Sequence, residues 1–565
     1  IINRSTKERE IKLFFSHDLH IIETDGGITA YYHPDMDAII HFKKDRYFLI
    51  GGISESGGLD EFAVGVTEFG GLEGTWKDAE DGKLSENLVA HGSVDSVLSL
   101  KTKISNGKEA TVFSWIAAGR SIDEVSELFE TIKKAGPDRL VRETSKYFEN
   151  WAGKSEINFG NLPVEVVSMF KRSLLILRTQ IDNRGGIIAS SDSDILRFNK
   201  DTYSYVWPRD GAFVALGLDA AGYFHVTQRF FDFCGKIISK EGFLYQKYHP
   251  DGSRGSTWHP WSNINRQFQL PIQEDETALV LFSLWNHYYQ ARDIEFIGPL
   301  YKQLICKAAD FLVNYRDEKT GLPLSSYDLW EENRGVSTFT CSAVFGGLKA
   351  ASKLARVFGD VQRAEKYEVA ANEVKDAILK YLYDSEKGRF LKMLKPDGKN
   401  GFIKDATVDS SVYGVFEFGV LPADDVRVEK TMNAVESALW VKTEEGGVAR
   451  YQNDYYQQVS RDVEKVPGNP WFICTLWLAE YYIAKNELEK GLRLLKWVAD
   501  RASESGVLAE QIHPFNNQPL SVSPLTWSHS TFVLTVIEYL NKLNELKICD
   551  KCGLPIYRKK MGRLW

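Results

Sequence analysis

The chain lacks any apolar run near the roughly 20 residues that cross a bilayer. Its longest runs are short, such as Ala278–Phe282, so no membrane span is expected. The opening IINRSTKERE has no apolar signal core. It begins on Ile1 rather than on an initiator methionine, so a leader or an earlier part of the first domain is expected to be missing. Basic excess is lacking too. Lys and Arg number 69 against 77 Asp and Glu, a net charge of −8, which argues against a nucleic-acid partner. Cysteine is sparse, at six. Cys234, Cys306, Cys341 and Cys474 sit inside apolar patterns and read as reduced core residues. Cys549 and Cys552 form a single CDKC pair, half of a zinc site. It is read as part of an ordinary tail over 546–565, with a metal site shared between subunits as the alternative. There is no Gly-rich phosphate loop, no HExxH and no GxSxG, so phosphate-loop, zincin and serine-hydrolase chemistry are set aside. No cofactor is expected. The cysteine usage fits a reducing, cytoplasmic compartment, with secretion the alternative if the start of the chain is processed.

What is present is a globular composition, 43% apolar and 13% aromatic, which excludes intrinsic disorder. The pattern changes once. Residues 1–120 read as short strands with turn signals about every ten residues, the signature of a β-sandwich. HFKKDRYFLIGG offers two runs around a charged turn, and Asn106-Gly107 predicts a hairpin between two β-rich runs. Ser121 and Glu124 form a capping box that opens a helical linker over 121–160.

From residue 161 to 545 the apolar spacing is helical, in twelve segments between 164–181 and 525–544. Unusual residues gather before every second segment: WPRD (207–210), QEDET (273–277), YDLWEEN (327–333), KDATVDSS (404–411), RYQNDYY (450–456) with GNPW (468–471), and AEQ (509–511) with LTWSHS (525–530). Six inner helices pointing one way would collect these loops at one mouth, while outer helices return. The fold class is therefore mainly α with an N-terminal β domain, a β-sandwich followed by an (α/α)6 barrel. A solenoid is the lesser option.

Those loops are rich in Trp, Tyr, Asp, Glu and Arg. Aromatic rings stack on the apolar face of a pyranose, and carboxylates and Arg hold its hydroxyls. Glycoside hydrolysis needs two carboxyl groups, one protonated and one to attack or to activate water. Glu331 and Glu332 beside Trp330, and Glu510 in its loop, are candidates. Read alone, the first pair also fits the acid-rich first turn of a helix, and Glu510 fits a solvated loop. Glu274-Asp275-Glu276 reads as a helix start, and Arg209-Asp210 as an ion pair or a clamp for hydroxyls.

At YSYVWPRDGA (203–212), YDLWEENRGVSTFT (327–340), GGVARYQNDYY (446–456), GNPWF (468–472) and AEQIHPFNNQPLSVSPLTWSHS (509–530) the chain resembles glycoside hydrolase family 15, the glucoamylases and their relatives. The resemblance covers most of the chain in its prokaryotic two-domain form. It implies Glu331 as general acid and Glu510 as general base of an inverting exo-acting α-glucosidase, a glucan 1,4-α-glucosidase that releases β-glucose. It implies that Arg209 and Asp210 grip the terminal glucose. Trp207 and Tyr205 would shape the closed end of the pocket, Arg450 and Glu332 would bind hydroxyls, and Trp330 and Trp527 would line it. The expected partner is an α-glucan or gluco-oligosaccharide, and no metal is required. Trp258, His259 and Trp261 are left between the leaving-group side and packing. Trehalase and glucodextranase are alternatives within the family, and an inverting disaccharide phosphorylase is the more remote one. The sandwich and the tail YRKKMGRLW could mediate contacts in a homo-oligomer.

Overall fold

The computed structural model describes residues 1–23, 26–67, 73–154, 157–160, 162–195, 201–262, 266, 268–397 and 401–546. Cys549, Cys552 and the tail lie outside the described residues. The chain divides into two units, Ile1–Asn150 and Trp151–Trp565.

The first unit holds strands β1 (Arg9–Asp18), β2 (Ile28–His33), β3 (Ala38–Lys43), β4 (Arg46–Ile53), β5 (Glu61–Val66), β6 (Val89–Gly92), β7 (Val94–Ile104) and β8 (Phe113–Gly119). They form two antiparallel sheets, β1-β7-β5 and β6-β2-β3-β4-β8. Period-two patterning decides what each side chain meets. Ile39 and Ile50 turn inward to pack with Val64 and Leu98 between the sheets. Their neighbours Ile40 and Leu49 turn outward, where Val125 and Phe129 cover them. Those two residues belong to α2 (Ile122–Ala135), which follows the one-turn α1 (Thr75–Asp78).

Two expectations change here. The Asn106-Gly107 hairpin does not form, because β7 pairs with β1 and β5 while β8 pairs with β4. The turn between them carries the chain from one sheet to the other, a connection that sandwiches use and that local sequence cannot tell from a hairpin. The segment expected as a linker also begins as part of the sandwich, since α2 covers the five-stranded sheet. Its cap is the expected one: Ser121 Oγ accepts from the Glu124 amide at 3.2 Å.

After α3 (Pro137–Ala152) the second unit is helical: α4 (Val164–Thr179), α5 (Pro208–Ala220), α6 (Phe224–Ile237), α7 (Glu274–Ala291), α8 (Ile294–Leu300), α9 (Lys307–Asn314), α10 (Thr338–Val357), α11 (Val361–Ala377), α12 (Gly414–Glu417), α13 (Val426–Leu439), α14 (Phe472–Ala484), α15 (Leu488–Asp500) and α16 (Thr526–Glu545). A π-helical turn, Tyr301–Cys306, joins α8 to α9 as one outer element. The inner ring runs α5, α7, α10, then the 3-10 turn Ser410–Tyr413 with α12, then α14 and α16, which closes back on α5. The other helices form the outer layer, giving an (α/α)6 barrel.

Burial explains the two layers. Inner α14 is buried from Phe472 to Ile483, whereas outer α15 buries Leu494, Leu495, Trp497 and Val498 on one stripe. The inner helices approach closely where glycine permits it. A Cβ on Gly347 would stand 2.6 Å from the Ala278 carbonyl oxygen of α7, and one on Gly217 would stand 2.6 Å from that of Ser530 of α16. Cys234, Cys306, Cys341 and Cys474 are buried. Among the described residues no helix is long and apolar enough to cross a membrane.

Candidate active site

Where the loops before α5, α10, α14 and α16 meet, with no residue of QEDET or KDATVDSS in its lining, lies a cavity of about 330 Å³. This is the low end of the range for small-molecule sites. Its lining includes Trp207, Arg209, Asp210, Trp330, Glu331, Glu332, Arg450, Glu510 and Trp527, so nine of the ten expected site residues share one space. The tenth, Tyr205, is a correction. The chain bends at Tyr203 and Tyr205. Tyr203 lines the cavity, while Tyr205 stands edge-on behind Trp207. The Tyr205 hydroxyl lies 3.3 Å from Asp201 Oδ1 and Lys247 Nζ lies 4.2 Å from its ring.

The WPRD segment is the N-terminus of α5, with Trp207 as cap and Pro208 in the first turn, where its missing N–H costs nothing. The Arg209 amide, one of the donors that a helix start leaves without a partner, donates to Glu276 Oε2 at 2.5 Å. The Arg209 guanidinium is buried among four carboxylates: Glu276 at 3.0 Å, Asp275 at 3.4 Å, and Asp210 and Glu331 each at 3.6 Å. One cation cannot hold four ionised acids. Burial pushes Asp210 up to about 7, with Arg209 opposing and the Glu331 charge adding to the rise. Burial likewise raises Asp275 and Glu276 against the pull of Arg209. The QEDET acids are thus not merely a helix start. All three are fully buried; Asp275 and Glu276 support Arg209 from behind, while Glu274 accepts from the Ser326 hydroxyl.

Glu331 and Glu332 are not first-turn acids, because α10 begins at Thr338. They lie in the turn of a hairpin whose arms, Ser326–Tyr327 and Arg334–Ser337, pair antiparallel. Asp328 organises that turn. Its carbonyl accepts from the Glu331 amide at 2.9 Å, and its Oδ1 accepts from the amides of Glu332 at 3.0 Å and Asn333 at 3.2 Å. The turn forces Glu331 into the left-handed region, φ 61°. Such a conformation costs about 1–3 kcal/mol in a residue with a Cβ and persists only where the surroundings over-determine it. Here Trp207 Nε1 donates to Glu331 Oε1 at 2.8 Å and Gln246 Nε2 donates to Oε2 at 2.7 Å.

The far wall is built on Arg450. It donates to both oxygens of Asp454, at 2.8 and 2.7 Å, and to Glu332 Oε1 at 2.8 Å. The rings of Trp330, Tyr451, Tyr456 and Trp471 surround its guanidinium at 4.9–5.2 Å. Tyr451 donates to Glu332 Oε2. Glu510 is buried beside this wall. Burial raises its pKa, while Ser521 and then Arg450 pull it back. The Tyr456 hydroxyl joins Ser521 Oγ at 3.4 Å to Tyr203 at 2.9 Å.

Trp258 is half exposed and lines the cavity. His259 is buried with its ring 4.4 Å from that of Tyr327, and Trp261 packs on Tyr245 and Phe268. The sequence reading missed Tyr203, Gln246, Lys247, Tyr456 and Trp471 as site residues. Tyr203, Tyr456 and Trp471 lie inside motifs already singled out, so proximity to the named residues was the available signal. Nothing local marks Gln246 or Lys247.

Carboxyl groups, among them Glu331 and Glu510, in one aromatic-lined barrel cavity with buried arginines beside them are the equipment of a glycoside hydrolase. The profile of the family described as "Glycosyl hydrolases family 15" matches residues 167–537, and the chain belongs to that family. It is 28% identical to an uncharacterized glycosyl hydrolase of Methanocaldococcus jannaschii, over 95% of this chain and 83% of the relative. It is 27% identical to a glucoamylase of Clostridium sp., over 93% of this chain and 73% of the relative. A solved bacterial glucoamylase complexed with acarbose shares its fold, with a TM-score of 0.72 at 21% identity, covering 94% of this chain and 77% of that one.

Proposed function

We propose that the protein is an inverting, exo-acting α-glucosidase of glucoamylase type, active on non-reducing ends of α-1,4-linked glucans and malto-oligosaccharides, with some α-1,6 activity. The observation that carries the reading is the meeting of Glu331 and Glu510, far apart in the chain, in one small cavity with the Arg209 cluster. Arg209 and Asp210 hold hydroxyls of the terminal glucose, and Trp207 closes the pocket. Arg450 and Glu332 hold further hydroxyls, and Trp330 and Trp527 provide apolar surface for the ring. Glu331, fixed by Trp207 and Gln246, protonates the glycosidic oxygen as the bond breaks. Glu510 draws a proton from a water, which attacks the anomeric carbon from the opposite face. Inversion needs roughly 6.5–9.5 Å between the two carboxyl groups to admit that water. Each contribution of this kind is worth about 10²–10⁴ in rate.

The preference for α-1,4 links rests on DLWEENRGVSTFT and on the similarity to a glucoamylase along nearly the whole chain. Trehalase and glucodextranase activity are the competing readings within the family. The test is glucose release from maltotriose, isomaltose and trehalose in phosphate-free buffer. Maltotriose is expected to be consumed fastest. Consumption of trehalose alone overturns the linkage, and dependence on added phosphate overturns hydrolysis in favour of phosphorolysis.

A further inference from the structure

Lys392 belongs to none of the motifs that mark the site and does not line the cavity. It is nevertheless buried, only 4% exposed, with its ammonium against Asp328 in the hairpin that carries Glu331. Its backbone is fixed on both sides: its carbonyl accepts from the Thr338 amide at 3.0 Å, and its amide donates to the Asp405 carbonyl at 3.1 Å. The strand that starts at Met393 pairs with Ser337 and Val336, which continue the arm of that hairpin. The pairing therefore sets residue 392 opposite Thr338, at the end of that arm where α10 begins, with its side chain buried.

From there its ammonium touches groups that support Trp330, Glu332 and Asn333, on both sides of Glu331. It lies 3.3 Å from Asp328 Oδ2, whose other oxygen accepts from the Glu332 and Asn333 amides. It lies 3.1 Å from Asp409 Oδ2, and Asp409 accepts the Trp330 indole N–H on both oxygens, at 3.1 and 3.0 Å. It also stands 4.0 Å from the ring centre of Tyr451, whose hydroxyl donates to Glu332. A buried charge is tolerated only when it is paired, and here both partners are themselves parts of the turn or of its anchor. Burial works against the charge of Lys392, but Asp409 and Asp328 outweigh it and keep the side chain protonated. Without that cation, Asp328 and Asp409 become two buried like charges in contact with the same short turn. Relief by movement of either one moves the left-handed residue Glu331.

We propose that Lys392 is a positioning residue that sets the geometry of proton donation by Glu331, acting through Asp328 and Asp409 without touching substrate. This rests on the reading of Glu331 as the general acid. The two are separable by the leaving group. Maltotriose needs its leaving oxygen protonated, whereas fluoride leaves α-D-glucosyl fluoride with little help from an acid.

The experiment measures kcat and KM of the full chain on both substrates for Lys392→Met, Lys392→Arg, Asp328→Asn and Glu331→Gln. Lys392→Met is expected to lose about tenfold to a hundredfold in kcat on maltotriose, with KM within about threefold, and to keep kcat on the fluoride within about threefold. Lys392→Arg, which retains the charge, is expected to recover most of the loss. Should Lys392→Met fail to fold, Asp328→Asn keeps the acceptor for the backbone amides, removes the charge that meets Lys392, and is expected to show the same split to a smaller extent. Equal losses on the two substrates in these variants overturn the role of Lys392, provided Glu331→Gln shows the split. If Glu331→Gln itself shows no split, the assignment of the general acid falls, and the role of Lys392 with it.

Discussion

The two walls of the cavity are built from the same residue types and do opposite things with charge. Around Arg209 one guanidinium faces Asp210, Asp275, Glu276 and Glu331, all buried or nearly so. Around Arg450 one guanidinium is matched to Asp454 and Glu332 by three close hydrogen bonds, with Lys392 taking up Asp328 and Asp409 behind it. The first wall has more acid than its cation can hold ionised, so it stores protons. Its members Asp210, Asp275 and Glu276 are all raised by burial. The second wall has two cations for its four carboxylates, twice the share of the first wall, and fixes charges in place by direct contact. Arginine beside acids, visible in the sequence at both walls, does not by itself say which kind is being built. The ratio of buried cations to buried carboxylates does.

Neutralising one carboxylate on each wall tests this contrast. Asp454→Asn replaces the acceptor of two charged hydrogen bonds and leaves Arg450 under-compensated in a buried site. Breaking one side of a buried pair costs about 3–5 kcal/mol, and in a unit as large as Trp151–Trp565 a kcal/mol corresponds to roughly 1 °C. The melting temperature is expected to fall by about 3–6 °C, with catalysis impaired as Glu332 and Arg450 shift. A loss below 2 °C would show that the second wall is not held by paired charge.

Asp210→Asn is expected to behave differently, because asparagine resembles the protonated acid that the first wall already holds. Asp210 is pushed up to about 7 in the folded state, against an ordinary value near 4 in the unfolded chain. Its contribution to stability is therefore complete below about 4 and is lost as pH rises through about 7. At pH 5 the variant should melt within about 2 °C of the parent. Its relative stability should improve by pH 8, although sugar binding suffers. A large, pH-independent loss would contradict proton storage at this wall.

The smallest effect is expected behind that wall. Glu274 is buried and pushed up to about 8 by burial, with the Ser326 hydroxyl opposing. By the same sign, its stabilising share disappears as pH rises from about 4.5 through about 8. Glu274→Gln is expected to leave the melting temperature near that of the parent at pH 5 and to raise it modestly at pH 9. A fall at pH 9 would mean that the ionised acid is wanted there.

Much of this architecture is legible in the sequence, for physical reasons. The twelve helical segments coincide with the inner and outer helices of the barrel. Their loops could be counted because inner and outer helices alternate, so each unusual motif marks one inner start. Nine residues that line the cavity could be named because their motifs are long and ordered. What escaped depends on distant partners. Lys392 meets Asp328 across 64 positions of chain, from a position outside every motif. The left-handed turn at Glu331 follows from the pairing of Tyr327 with Arg334, which no local preference announces. Tyr203 and Tyr205 are two positions apart, and only the bends between them decide which ring reaches the cavity. The Asn106-Gly107 turn is real, but its strands belong to different sheets.

The most direct test of the account is the anomer that forms first. With maltotriose as substrate in phosphate-free buffer, a proton NMR time course separates α- from β-glucose before mutarotation mixes them. Glu331 as acid and Glu510 acting through water on the opposite face require β-glucose to lead, with α-glucose appearing only as the mixture equilibrates. If α-glucose leads instead, the configuration is retained, one carboxylate must attack the sugar directly, and the roles proposed for Glu331 and Glu510 are wrong.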